Sequence, residues 1–258
     1  MSRSSYYAGR REQRERTIEP VLAKAARTLH EQGRCSLGSR RLSASLRNQG
    51  HDVGRYRART LIKQLGLKRR RRPYAHYRRA TKPAIVADND LNREFDPAAP
   101  DVAWAGDITQ VRVRRRWLYI AIVMDLFSRR IVGWATGSMA DAYLAEQALE
   151  LALAHRQPQE PLLFHSDQGC QYSAQRFVDF LARRSIRQSM SRRGNCWDNA
   201  VVERFFHTLK HEWMPTSGYA TFDEATKDFS SFLIYYDQQR PHSRLNDVPP
   251  ATFEWLAA

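Results

Sequence analysis

Residues 161–173, PLLFHSDQGCQYS, place a carboxylate directly after a short apolar run. The apolar residues 162–164 are typical of a buried strand, and the polar residues 165–169 are typical of the turn that follows one. Asp167 has an ordinary explanation, because aspartate often caps a turn or the next helix. The alternative is that the strand ends at an active site and presents Asp167 there. The sequence on either side decides between these two interpretations.

The residues around this run predict alternating strands and helices. Three extended, β-branched and aromatic segments with short connections come first, which is typical of an antiparallel meander. Helical stripes of apolar residues then alternate with short strands. The predicted strands are 101–113, 117–124, 130–135 and 161–164, and the predicted helices are 140–155 and 174–184. A further strand and helix complete an α/β domain with a mixed sheet covered by helices.

Charge divides the chain into two unequal parts. Residues 1–82 contain 23 Lys and Arg but only 5 Asp and Glu, whereas residues 83–258 contain 19 and 22. A basic part beside a nearly neutral part suggests an arm that binds a polyanion next to a separate module. The simpler explanation is that the basic surface only confers solubility. The basic run at 68–72 favours contact with nucleic acid, whose phosphates attract such segments with little sequence selectivity.

The basic part predicts a small helical domain. Helical stripes cover 17–32, 39–49 and 54–65, and a glycine follows each of them. Three short helices with arginine-rich outer faces are compatible with a helix-turn-helix variant that enters a DNA groove. A bundle that only grips backbone phosphates would show the same pattern.

These patterns predict four segments. Residues 1–67 form a basic, all-α, helix-turn-helix-like DNA-binding domain, and residues 68–100 form a basic arm and linker. Residues 101–215 form the α/β core, and residues 216–258 form its C-terminal helical extension. The basic side chains expected to contact DNA in the first two segments are Arg40, Arg41, Arg57, Arg59, Lys68, Arg69, Arg70, Arg71 and Arg72.

The sequence contains no signal for a membrane or secreted protein. The longest apolar runs are of strand length, short of the roughly 20 residues that span a bilayer, and the N-terminus has no apolar signal core. The three cysteines are widely spaced and odd in number, which favours reduced thiols over disulfides or a cysteine metal site. We therefore expect a cytoplasmic protein.

Three acidic residues lie where this pattern exposes side chains at one end of the sheet. Asp107 lies in the first strand, Asp167 follows the fourth, and Glu203 lies on a later helix. Asp198 or Asn199 would cap that helix. Carboxylates at a sheet end suit Mg²⁺, which prefers oxygen ligands and keeps exchangeable waters, and two such ions assist phosphoryl transfer. Each acid also has an ordinary explanation, as a strand-end residue, a cap or a solvated helix residue.

The strings around these acids resemble those of integrase-type insertion-sequence transposases. They are W-x-x-D-I-T at 104–109, LYIAIVMDLFSRRIVGWA at 118–135, HSDQGCQY at 165–172, SMSRRGNCWDNAVVERFFHTLK at 189–210 and YYDQQRPHSRL at 235–245. Asp167 and Glu203 are separated by 35 residues, the spacing of the D,D-35-E signature. The chain is similar to the second-frame protein, OrfB, of the IS3 family, and SRSSYYA and GSRRL extend the likeness to the N-terminal part.

The resemblance implies a retroviral-integrase-type, RNase H-like core with a five-stranded mixed sheet, and a Mg²⁺-dependent DNA transposase. Asp107, Asp167 and Glu203 would be the catalytic residues and the metal ligands, with two ions per site and Mn²⁺ as a substitute. The family implies a 3′-end cut at terminal inverted repeats and strand transfer to target DNA, through a circular intermediate. Water or a DNA 3′-OH would be the nucleophile.

The resemblance also implies partners and further contacts. The partners would be double-stranded DNA, further copies of the chain and an upstream-frame, OrfA-type protein or fusion, in the bacterial cytoplasm at the nucleoid. His207 and Lys210 follow Glu203 at i+4 and i+7 and either meet DNA phosphates or are solvated charges. Arg240 is expected to contact phosphate at the edge of the site.

Two alternative functions stay open: a metal-dependent nuclease of the same fold, and a DNA-binding regulator without catalysis.

Overall fold

The computed structural model describes residues 18–70, 86–158, 161–192 and 195–257. The chain divides into two compact units, residues 1–70 and residues 71–258. Each unit has a hydrophobic core of its own. Arg71 and Arg72, two of the predicted DNA contacts, lie outside the described residues.

The first unit is built from three helices. They are α1 (Pro20–Gln32), α2 (Ser39–Asn48) and α3 (Arg55–Gln64). The proline in the first turn of α1 suits a helix start, because that position needs no amide donor. The apolar positions of the three helices are buried together, among them Leu22, Ala26, Leu42, Leu46 and Leu61. The predicted helices are confirmed, with ends that differ from the prediction by no more than three residues.

The predicted basic arm begins within this unit. The Arg69 guanidinium donates to the Ser36 carbonyl at 3.2 Å. The Arg70 amide donates to the Cys35 carbonyl at 2.7 Å. The start of the arm therefore packs on the connection between α1 and α2.

The second unit is a five-stranded mixed sheet with helices on both faces. The strands are β1 (Ala103–Val113), β2 (Arg116–Asp125), β3 (Ile131–Gly137), β4 (Leu163–Ser166) and β5 (Arg187–Met190). Their order across the sheet is β3-β2-β1-β4-β5. The first three are antiparallel neighbours, whereas β4 runs parallel to β1 and β5 runs parallel to β4. The mixed sheet predicted from the sequence is therefore confirmed.

The helices of this unit follow the predicted order. They are α4 (Ala142–Arg156), α5 (Gln175–Ala182), α6 (Ala200–Thr208), α7 (Phe222–Gln238) and α8 (Pro250–Ala257). A 3₁₀ turn, Cys196–Asn199, precedes α6, and a π-helical segment, Leu209–Trp213, continues it. Across the ranges that the structure describes, every helix is too short or too polar to span a lipid bilayer.

The sheet separates two apolar layers, because successive side chains of a strand point to opposite faces. On one face, Val111 and Ile122 belong to a core that includes side chains of α6 and α7. On the other face, Trp104 and Phe164 belong to a core that includes side chains of α4 and α5. Burial on both faces explains why residues 117–124 form an almost unbroken apolar run.

The segment before β1 packs on this unit. Leu91 is buried in the core, and its amide donates to the Ser189 hydroxyl at 3.1 Å. Asp96 forms an ion pair with the buried guanidinium of Arg129 at 2.9 Å. Residues 86–100, which the sequence predicts as part of a linker, are therefore attached to the second unit by an apolar anchor and several polar contacts.

Candidate active site

The parallel pairing of β1 with β4 sets two aspartates beside each other. The paired residues are Ala103 with Leu163, Trp104 with Phe164 and Ala105 with His165. Asp107 comes two residues after Ala105 on β1, and Asp167 comes two residues after His165, directly beyond the end of β4. Because residues in register on neighbouring strands share a face, both aspartates lie on the same face, at the point where β4 ends. The prediction that Asp167 stands just past a buried strand is confirmed.

A glycine makes this close pairing possible. A Cβ atom on Gly106 would lie 2.4 Å from Cζ of Phe164, far inside van der Waals contact. Phe164 is 1% exposed, and its ring centroid is 5.6 Å from that of Phe177. The ring therefore cannot move aside without disturbing a packed interior. The residue before Asp107 has no side chain because the Phe164 ring occupies that space.

The Asp167 carboxylate is held by its own turn. The Gly169 amide donates to Oδ1 of Asp167 at 2.9 Å, an arrangement typical of an Asx turn. Tyr172 is buried in the aromatic cluster of the α5 layer. The Gln171 side chain donates to the Ala140 carbonyl at 3.0 Å. Gln171 and Tyr172 therefore support the turn that carries the carboxylate.

Glu203 lies on the exposed face of α6. The opposite face carries Val202, Phe205 and Phe206, which are buried in the core and set the rotation of the helix about its axis. Because α6 packs against β1, the charge of Glu203 reaches the Asp107 carboxyl. The helix thus presents a third acid beside the strand that carries the first.

The three carboxyl groups interact electrostatically. The pKa of Asp107 lies well above its usual range, raised first by burial and then by the charge of Asp167, with a smaller contribution from Glu203. Desolvation by the surrounding protein also raises the pKa of Asp167, although part of its side chain is exposed. Partial desolvation and the charge of Asp167 raise the pKa of Glu203. Because like charges repel one another more strongly where they are poorly solvated, the three carboxylates favour the binding of a cation.

The donor chemistry fits a hard divalent ion. Mg²⁺ takes carboxylate oxygens, and it is usually held by one or two carboxylates together with waters and substrate phosphates, not by a complete protein cage. In the part of the chain that the structure describes, no three Asp, Glu, His or Cys side chains form such a cage. The structure brings Asp107 and Asp167 together, with Glu203 within electrostatic reach.

Lys210 and His207 have different surroundings. Burial lowers the pKa of Lys210 and the charge of Asp107 opposes that shift, which indicates that the ammonium group is near the carboxylates. His207 is exposed, and its ring stacks on that of His211 with centroids 4.0 Å apart. The π-helical segment begins between His207 and Lys210. Its wider turn shifts Lys210 from the α-helical position that the sequence predicts.

Arg240 lies in an ion pair. Its Nη2 atom is 3.2 Å from Oε2 of Glu212, and the two side chains are 12% and 17% exposed. Its guanidinium carbon lies 5.9 Å from the ring centroid of Tyr236. Arg240 therefore joins the π-helical segment to the region around the C-terminal end of α7, and its contact with phosphate stays a prediction.

His165 lies two residues before Asp167, and its side chain is fully buried. Its Nδ1 is hydrogen-bonded to the Ser189 hydroxyl at 2.9 Å, and its Nε2 to the Ser191 hydroxyl at 3.2 Å. Burial lowers the pKa of His165 to about 4, so the ring is neutral at neutral pH. His165 links β4 to β5 and the residues that follow it.

The predicted cap of the Glu203 helix is wrong. Asn199 precedes α6 without a capping hydrogen bond from its side chain. The side chain of Asn195 instead caps the preceding 3₁₀ turn, by accepting from the Trp197 amide at 3.2 Å. Asp198 is fully buried and has a different structural role.

Asp198 is the centre of a cluster that the sequence did not reveal. Arg192 donates to it from the backbone amide at 2.9 Å, from Nε at 3.0 Å and from Nη2 at 3.1 Å. Nε of Arg93 donates at 2.7 Å and Nδ2 of Asn89 at 3.0 Å. These bonds, first those of the Arg192 side chain, hold the pKa of Asp198 well below its usual range. Asp198 thereby ties the segment before β1 and the strand end after β5 to the helix of Glu203.

The predicted DNA contacts of the first unit lie on its surface. Arg40, Arg57, Arg59, Lys68 and Arg69 are exposed, and Arg41 and Arg70 are partly exposed. Arg57 approaches Glu19 at 3.9 Å, and such an exposed pair contributes little. The sequence of α3 contains no acidic residue, so the side chains of its outer face are basic or neutral.

Comparison with known proteins assigns both units. An HTH-like domain matches residues 19–74, and integrase core domain models match residues 97–196 and 184–250. The chain is 34% identical to the transposase InsF for insertion sequence IS3A of Escherichia coli K12, over 84% of this chain and 76% of that protein. This chain belongs to the IS3 family of transposases. The transposase is also 35% identical to an uncharacterized 31 kDa protein of insertion element IS600 of Shigella sonnei, over 98% of this chain and 94% of that protein.

The fold of the transposase follows from the family models and its own sheet. The five-stranded mixed sheet is an integrase-type, RNase H-like core, preceded by a helical HTH-like region, as the sequence predicts. A solved structure of the HTLV-2 integrase catalytic core domain in complex with magnesium is 16% identical, with a TM-score of 0.45, and the match covers 61% of the transposase and 98% of that chain.

Gly106→Ala is expected to lower the free energy of unfolding of the transposase by about 1–3 kcal/mol, because the added methyl group displaces the Phe164 ring from a packed core. Urea unfolding followed by circular dichroism measures this. Gly137→Ala is the matched control, since a Cβ there first meets the flexible end of Leu144 at 3.2 Å. Equal losses in the two variants would contradict the role of the Phe164 contact.

Asp198→Asn is expected to lower the free energy of unfolding by about 1–3 kcal/mol at neutral pH, because half-exposed arginines lose a buried anion. The folded-state pKa of Asp198 lies below the unfolded value of about 3.9. Its stabilisation is therefore complete above about pH 5 and is lost as the pH falls through the folded pKa. Urea unfolding at about pH 7 and about pH 2.5 checks this.

The exposed Asp179 on α5 offers the control for that measurement, through Asp179→Asn. This variant should match the wild type at both pH values. A stability difference for Asp198→Asn that stays the same at acid pH would show that the charge of the residue is not what stabilises the cluster.

Proposed function

We propose that this transposase cuts the ends of its element and joins them to target DNA by metal-dependent phosphoryl transfer, with Asp107, Asp167 and Glu203 as catalytic residues. The observation that carries the proposal is the register of β1 with β4, which brings two carboxylates with raised pKa values together at the end of the sheet where β4 stops. Membership of the IS3 family supports the same reaction. Water would be the nucleophile for the cut at a terminal inverted repeat, and a DNA 3′-OH would be the nucleophile for joining.

The three acids would hold Mg²⁺, as two ions per site with Mn²⁺ as a substitute. Bound there, the ions supply activation of the attacking oxygen and stabilisation of the leaving oxygen. The raised pKa values of the acids support this assignment, because a positive charge among them would remove their mutual repulsion. The Asx turn of Asp167 orients its carboxylate before DNA arrives, so little ordering remains to be done on binding.

The other predicted residues of the core would hold the DNA. Lys210 lies within the field of Asp107, so its ammonium group suits a phosphate oxygen next to the carboxylates. His207 follows Glu203 by one helical turn and suits a neighbouring phosphate. Arg240 would reach a phosphate on release from Glu212. Residues 101–215 would carry the chemistry, and residues 216–258 would support it.

The first unit would grip double-stranded DNA. The exposed face of α3, free of acids, suits a DNA groove. The basic side chains outside α3 would contact backbone phosphates, as would Arg57 and Arg59 on α3. Those outside α3 are Arg40, Arg41, Lys68, Arg69, Arg70, Arg71 and Arg72. Two element ends and a target have to be held together, so further copies of the chain and an upstream-frame protein are the expected partners.

Asp167→Asn is expected to abolish nicking and strand transfer while DNA affinity persists, because a neutral amide replaces one of the paired carboxylates. A Mn²⁺-supported reaction on labelled element-end DNA, with supercoiled plasmid as a second substrate, measures both products. Asp179→Asn is the matched control, since this acid is exposed on α5, where its carboxylate accepts a hydrogen bond from the Gln175 side chain. The control should retain wild-type rates.

The products of this reaction separate the three candidate functions. Joined strands from the wild type and none from Asp167→Asn support a transposase. Nicks without joining would identify a nuclease of the same fold. Equal products from both proteins, or DNA binding without any reaction when the upstream-frame protein is added, would favour a DNA-binding regulator.

Replacing Arg57 and Arg59 of α3 together by Gln is expected to weaken binding to duplex DNA. The slope of log affinity against log salt should fall by about 1.8, because two phosphate contacts are lost. Filter binding over a range of salt concentrations measures this. Replacing the exposed Lys24 and Arg27 of α1 by Gln removes the same charge. An equal effect of that control would show that the arginines of α3 contribute no more to DNA binding than basic residues elsewhere on the unit.

A further inference from the structure

The tip of the β1–β2 hairpin carries a concentrated positive charge. Arg112, Arg114, Arg115 and Arg116 are exposed, and the neighbouring Trp117 is 42% exposed. Within the described residues, none of these four guanidinium groups forms an ion pair with an acid. Residues 83–258 contain 19 Lys and Arg against 22 Asp and Glu, so this tip stands out from its surroundings.

The tip is held firmly on the body of the unit. The Arg114 amide donates to the Tyr219 carbonyl at 3.0 Å, and the Tyr219 amide donates to the Arg112 carbonyl at 3.1 Å. The Tyr219 hydroxyl donates to Oδ2 of Asp228 on α7 at 2.7 Å. Gly218 has a φ of +75°, and a Cβ on it would lie 2.8 Å from the Arg112 carbonyl oxygen. The arginines therefore stand on a braced hairpin.

Aromatic rings hold two of the guanidinium groups. The guanidinium carbon of Arg112 lies 5.9 Å from the ring centroid of Trp117, and that of Arg116 lies 4.8 Å from the ring centroid of Phe222. Arginine on an aromatic face keeps its charge and its N–H groups for an anion. The pre-ordered arrangement suits phosphate oxygens.

The turn itself contains a residue that its geometry disfavours. Arg114 and Arg115 form a two-residue loop between the paired Val113 and Arg116, and Arg114 has a φ of 52°. Positive φ at the first loop position favours glycine, because a Cβ is strained there. An arginine at this position costs stability and adds charge, which points to a ligand for the tip.

The tip lies on the active-site side of the sheet. β1 continues for six residues beyond Asp107 to Val113, which is about 20 Å at strand spacing. It runs in the direction in which β4 reaches Asp167. About 20 Å corresponds to about six base pairs of duplex DNA.

We propose that the hairpin tip, Arg112 to Trp117, binds the phosphate backbone of duplex DNA about six base pairs from the phosphate at the carboxylates. The inference rests on the proposed function for the site, and it adds a second DNA contact on the catalytic unit. Charge without acidic partners identifies DNA backbone as the occupant, and the braced backbone sets its distance from the site.

The test uses the full-length chain carrying Arg114→Gly together with Arg115→Asn. Gly-Asn suits a two-residue hairpin loop with positive φ at its first position, so the variant should melt at or above the wild-type temperature while losing two charges. Filter binding to a duplex of arbitrary sequence is expected to show on the order of tenfold weaker binding at 0.1 M salt, with a salt slope lower by about 1.8. Arg115→Gln alone should lower the slope by about 0.9.

The matched control replaces Arg183 and Arg184 by Gln. These exposed arginines precede β5, whose first residue pairs with the first residue of β4, so they lie at the opposite end of the sheet. The control should keep the wild-type salt slope. An unchanged affinity and slope in the hairpin variant, or an equal change in the control, would overturn the proposal.

Phosphate ethylation interference on element-end DNA locates the contact. Interference about six base pairs from the cleavage position should be present with the wild type and absent with the hairpin variant. Interference that persists in the variant would also overturn the proposal. Strand transfer is scored separately, so that a wild type that binds through the hairpin but never joins DNA rejects the proposed reaction and retains the contact.

Discussion

The parallel pairing of β4 with β1 is the contact on which the geometry of the candidate active site of this transposase depends. β1 is bonded to β2 on one side and to β4 on the other, so a change in its register would move the acid it carries. The Phe164 ring over Gly106 leaves the pairing little freedom. The consequence is that the partly buried Asp107 lies beside Asp167, and desolvation disfavours the charged form of both. The repulsion between these acids therefore lowers the stability of the folded protein, and a bound cation would remove that repulsion.

Aspartates in the same unit behave in opposite ways because their neighbours differ. Asp198 is as buried as any residue of the core, yet its pKa is lowered, since Arg192 and Arg93 donate to it. Asp107 has one backbone donor, Ile108, and faces acids instead. The first is a structural anion that joins three segments, and the second is opposed by the charge of Asp167 more strongly than it is compensated by that of Lys210. Partners, and not residue type, separate an acid that stabilises the fold from one that is available for chemistry.

Positive charge is also arranged by the fold in a way that composition hides. Counted over residues 83–258, acids slightly outnumber Lys and Arg. Many of those arginines are paired with acids, such as Arg129 with Asp96 and Arg156 with Asp101. Among the residues that the structure describes, the arginines at 112–116 are not neutralised in this way, so the hairpin tip is a local concentration of positive charge. A net count over a segment therefore says little about where a polyanion would meet its surface.

The sequence by itself determined the order of helices and strands and the basic character of the first unit, and it pointed to the three acids proposed for catalysis, because apolar periodicity, charge and local strings are properties of neighbouring residues. It failed at residues 86–100, where the single buried Leu91 leaves no periodic signal, and at Asp198, whose partner Asn89 is 109 positions away. Only the tertiary structure decided the register that sets Asp107 beside Asp167, the cluster around Asp198 and the bracing of the hairpin by Tyr219. Each of these depends on contacts between residues far apart in the chain, which no local pattern encodes.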